Sequence, residues 1–95
     1  MPLGKIIIGS VEYNLLSAFH RCLSAFIKLY RKENCLIDKV PEPEELSLAF
    51  KSRYGYNIDP EYFRYVIEDK DISELVYMNY LSSSLALTII QSVYG

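Results

Sequence analysis

Residues 11–33 read VEYNLLSAFHRCLSAFIKLYRKE, and this stretch decides the fold class. Leu15, Phe19, Cys22, Phe26 and Leu29 recur at alternating steps of four and three, which is the spacing of one helix face. Leu16, His20, Leu23, Ile27 and Tyr30 form an adjacent line, and Asn14, Ser17, Arg21, Ser24, Lys28 and Arg31 run down the opposite side. The pattern predicts an amphipathic helix over residues 11–33 with a broad apolar face. Ser10 is its expected N-cap, Glu12 suits the positive end, and the basic residues gather toward the C-terminus, where the helix dipole favours them.

Upstream, residues 5–8 are apolar enough for a short strand or an arm, and four residues do not decide between them. Downstream, residues 35–40 connect to a second helix, which Pro41 and Pro43 introduce and Glu42, Glu44 and Glu45 complement electrostatically. Leu46, Ala49, Phe50 and Tyr54 supply its period, and Gly55 stands where a left-handed cap is expected. Asp59, Pro60 and Glu61 start a third, short helix carrying Tyr62, Phe63, Val66 and Ile67. Residues 62–67 also have strand-like composition, so pairing with residues 5–8 is the competing expectation. Asp71 and Glu74 read as a capping box that opens a last helix over residues 72–93. The prediction is a single all-α domain over residues 1–95, a small bundle of about four helices, two long at the ends and two short between.

That last helix is unusual. Residues 75–95 contain no charged side chain in a chain that is 23% charged. Val76, Tyr80, Ser83, Leu87, Ile90 and Tyr94 form one seam, and Met78, Leu81, Leu85 and Ile89 a second. Two short helices and one long one cannot cover both seams of a helix of roughly six turns. A membrane span is the alternative, but Asn79, Ser82, Ser83, Ser84, Thr88, Gln91 and Ser92 dilute the stretch and no basic cluster flanks it. The first seam is therefore the expected association surface, and nine tyrosines without a tryptophan suit such a role.

Composition excludes several chemistries. The net charge is −2, which is poor equipment for neutralising phosphates. The glycines are Gly4, Gly9, Gly55 and Gly95, with no phosphate-binding loop. The only histidine, His20, lies two residues from Cys22, which turns the two side chains to opposite sides of a helix. Neither a metal set nor a nucleophile and base is visible, and no cofactor is expected. Cys22 and Cys35 are expected as free thiols of a cytoplasmic protein, the first buried and the second accessible.

Residues 45–67, ELSLAFKSRYGYNIDPEYFRYVI, carry two resemblances. A helix, a glycine turn and a second helix resemble the helix–turn–helix of bacterial and archaeal regulators. This implies DNA binding through residues 45–67, with Lys51, Arg53 and Arg64 as contacts. The would-be recognition helix departs from the pattern in carrying Asp59, Glu61, Glu68 and Asp69 around its one cation. The same stretch is similar to the middle of acyl carrier proteins, whose prosthetic group sits on a serine at the preceding helix start. Residues 35–45, CLIDKVPEPEE, contain no serine, so no role is carried over. The leading expectation is a non-enzymatic protein–protein interaction or assembly module, a homodimer or a subunit of a larger assembly; a DNA-binding regulator is the alternative.

Overall fold

The long amphipathic helix exists, but it starts later than its period suggests. In the computed structural model, which describes residues 5–8, 11–79 and 81–95, α1 spans Leu15–Glu33. Residues Val11–Asn14 are instead strand β2, paired antiparallel with β1 at Lys5–Ile8. The register sets Lys5 opposite Asn14 and Ile8 opposite Val11. Asn14 takes the N-cap role, its Oδ1 accepting from the Leu16 N–H at 2.9 Å. The expected cap, Ser10, lies outside the described residues. Residues 5–8 thus pair with their neighbours in sequence and not with residues 62–67, which are helical.

α1 is the axis of the bundle. It buries Leu15, Ala18, Phe19, Cys22, Leu23, Phe26 and Ile27, while Arg21 and Lys28 stay exposed. It ends in a Schellman motif: Leu36 N–H donates to Arg31 O at 2.8 Å and Cys35 N–H to Lys32 O at 3.3 Å. This places Cys35 in the left-handed region at φ 56°, where glycine is the usual occupant.

α2 runs Pro43–Tyr54 with Pro43, Glu44 and Glu45 in its first turn, and Gly55 closes it at φ 83°. α3 runs Pro60–Ile67, capped as expected by Asp59 Oδ1, which accepts from the Glu61 N–H at 3.0 Å. α3 ends in a second Schellman motif, with Asp69 at φ 56°. Both helices pack on α1 through aromatic rings. Phe26 lies 4.9 Å from Phe50, 5.9 Å from Tyr54 and 6.0 Å from Phe63, centroid to centroid. Such edge and tilted contacts add to what burial of the rings already contributes.

The single helix expected over residues 72–93 is two helices. α4 spans Ser73–Met78 and α5 spans Ser83–Tyr94. The Asn79 N–H closes α4 onto Leu75 O at 2.9 Å, and Ser82 Oγ opens α5 by accepting from the Leu85 N–H at 3.1 Å. Serine and asparagine side chains compete with the helix for backbone groups, so residues 79–84 are a natural place for a break. The capping box expected at Asp71 and Glu74 does not form: Ile72 is the N-cap of α4 with no side-chain cap, and Asp71 Oδ1 instead accepts from the Ser73 N–H at 2.9 Å in a local turn ahead of the helix. α5 lies against α1 and buries Ala86, Ile89 and Ile90. The result is an all-α bundle with five helices among the described residues and a two-stranded N-terminal hairpin.

Candidate functional site

The break between α4 and α5 reorganises both predicted seams. At roughly 100° per residue, Ala86, Ile89, Ile90 and Val93 share the face turned to α1. Ser83, Leu87 and Tyr94 lie along one flank of that face, and Leu85 and Ser92 along the other. Val76 and Ile90, expected in the association seam, are buried in the chain's own core at 5% and 2% exposure. Tyr80 lies outside the described residues. What remains of that seam outside the core is Ser83, half-buried Leu87 and exposed Tyr94. Tyr77 and Met78, at the end of α4, are 70% and 64% exposed. These are large apolar groups left outside the core, wholly or in part, within the uncharged residues 75–95.

The opposite flank borders a hollow of about 250 Å³ between α1, the start of α3 and the α4–α5 break. Phe19, Ile58, Tyr62 and Ile89 make its buried floor, and Asn57, Asp59, Asn79, Leu81 and Leu85 its rim. Tyr62 is 4% exposed and meets the Phe19 ring edge-on at 5.8 Å. Its hydroxyl is buried and closes no well-formed hydrogen bond among the described residues. Burial pushes the Tyr62 phenol up, the Asn79 amide opposes this, and the Asp59 carboxylate adds to the rise. Asn79 acts on the hydroxyl as a hydrogen-bonding neighbour does, but the contact falls short of a well-formed hydrogen bond. Sequence reasoning missed this hollow, because it depends on the helix break.

A second hollow, about 280 Å³, is lined by Ser17, His20, Arg21 and Asp71 together with Leu16 and Ile72. Serine, histidine and aspartate meet here, but no hydrogen bond links Ser17, His20 and Asp71 among the described residues. Asp71 is held low first by the Ser73 backbone and hydroxyl and only lastly by His20. No group of three or more metal-ligating side chains is gathered among the described residues. Cys22 is buried and its thiol is pushed up to about 12 by desolvation, whereas Cys35 is exposed.

The cations of the helix–turn–helix-like segment are mostly engaged. Arg53 pairs with Glu33 at 2.8 Å and lies over the Tyr54 ring. Arg64 pairs with Glu61 at 3.0 Å and approaches Glu44 at 3.9 Å. Lys51 is exposed on α2. α3 turns Tyr62, Phe63 and Val66 into the core, which leaves Asp59, Arg64 and Glu68 on the exposed side where DNA would have to lie.

No helix among the described residues is long and apolar enough to cross a membrane. No protein-family model, curated protein or solved structure matches the chain.

Proposed function

We propose that the protein is a small non-catalytic helical interaction module that associates with a second copy of itself through the outer side of α4 and α5. One observation carries this reading. Tyr77, Met78, Leu87 and Tyr94 stand outside the core, wholly or in part, on a stretch of 21 residues without a single charge. Covering a large apolar side chain contributes roughly 1.5–3 kcal/mol, so several together favour association. A two-fold contact is the commonest way for one chain to supply its own complement. The carboxylates around Arg53 and Arg64 weigh against nucleic acid as the partner.

Light scattering tests the proposal. Wild-type protein should show twice the chain mass at high concentration, and Leu87→Glu should show the monomer mass with an unchanged helical spectrum. A wild type that stays monomeric at every accessible concentration contradicts self-association.

A further inference from the structure

We infer that the hollow between α1, α3 and the α4–α5 break is a binding site for a small apolar molecule carrying one hydroxyl or amine. Its shape and chemistry are those of a ligand site, with an apolar floor and a few converging polar groups. Phe19, Ile58 and Ile89 accept a hydrocarbon body. Tyr62 brings a buried hydroxyl with no well-formed hydrogen bond among the described residues, a costly arrangement that a ligand's polar atom relieves. Asn79 and Asp59 stand on the rim beside that hydroxyl.

The head group follows from the charges. Asp59 is negative and spends one carboxylate oxygen on capping α3. Among the described residues no cation lines the hollow. A carboxylate or phosphate would be repelled there, whereas a hydroxyl or an ammonium can donate toward Asp59 and Asn79 and meet the Tyr62 oxygen. At about 250 Å³ the hollow lies just below the range for drug-sized ligands, so the ligand is small. The site is on the flank of α5 opposite Leu87, and it stands or falls separately from self-association.

The probes are benzyl alcohol, benzylamine, benzoate and toluene, titrated into the full chain labelled with nitrogen-15. The alcohol and the amine should shift the amides of Tyr62, Asn79, Leu81 and Leu85 saturably, ahead of toluene and far ahead of benzoate. Tyr62→Phe keeps the ring and removes the hydroxyl. It should weaken benzyl alcohol roughly fivefold while leaving toluene unchanged. Asp59→Asn keeps the helix cap and removes the charge, and should abolish any advantage of the amine over the alcohol. Equal affinity for all four probes, shifts confined to other surfaces, or an alcohol affinity unchanged in Tyr62→Phe would each overturn the assignment.

Discussion

α1 and the segment from α4 to α5 have the same apolar period in sequence and different structures. α1 is one helix of 19 residues, whereas the C-terminal segment is broken between Met78 and Ser83. In α1 the charges of Arg21 and Lys28 mark the outside, so the apolar face can only be the inside. The C-terminal segment has no such marker. Its serines and Asn79 are indifferent to which face they occupy, and at residues 79–82 they serve as caps instead. Apolar period predicts helical conformation well, but continuity and orientation need the polar residues to agree with it.

The largest expected effect separates the two regions by stability. Phe26 touches four aromatic rings at the centre of α1. Phe26→Ala should cost about 3–5 kcal/mol in urea unfolding. Ile89→Ala, under α5, should cost about 2–4 kcal/mol, less because the adjoining hollow already leaves that side loosely packed. Equal losses at the two positions would break the contrast between a close-packed and an open end.

The break itself is worth less. Ser82→Ala removes the α5 cap and should cost about 1 kcal/mol, with the loss of amide protection confined to the first turn of α5. Cys35→Gly should gain about 0.5–1 kcal/mol by relieving a left-handed φ at the end of α1, an advantage partly offset by the looser unfolded chain. A thiol reagent should modify one cysteine rapidly in native protein, Cys35, and reach buried Cys22 only on unfolding.

A small pH effect sharpens the view of the α4 start. Hydrogen bonds from Ser73 lower the Asp71 carboxyl in the folded state. A depressed folded pKa contributes stability above the unfolded value near 4, and this is lost as pH falls through the folded value. Asp71→Asn should therefore flatten the acid limb of the stability profile while leaving the aromatic end unchanged.

Much of the fold was legible because local signals and packing agreed. Asp59 with Pro60 started α3 where expected, Gly55 closed α2, and the buried line from Leu15 to Phe26 followed the period. The start of α1 was not legible. Val11 and Tyr13 fit either a helix turn or a strand, and pairing with residues 5–8 decided for the strand. The hollow beside Tyr62 was hidden for a related reason. Phe19, Tyr62, Asn79 and Ile89 come together only once the C-terminal segment bends, and no local pattern records that. Of the predicted association seam, Ser83, Leu87 and Tyr94 stayed outside the core, while Val76 and Ile90 were drawn into it.

The central claim is that the uncharged outer flank of α4 and α5 meets the same flank of a second copy. An isotope-filtered NOE spectrum on mixed carbon-13-labelled and unlabelled protein tests it most directly. Cross-peaks between copies should reach the Leu87 methyls and the Met78 methyl and vanish in Leu87→Glu. Cross-peaks confined to the exposed Leu48 and Ile37 surfaces, or none at millimolar protein, would contradict it.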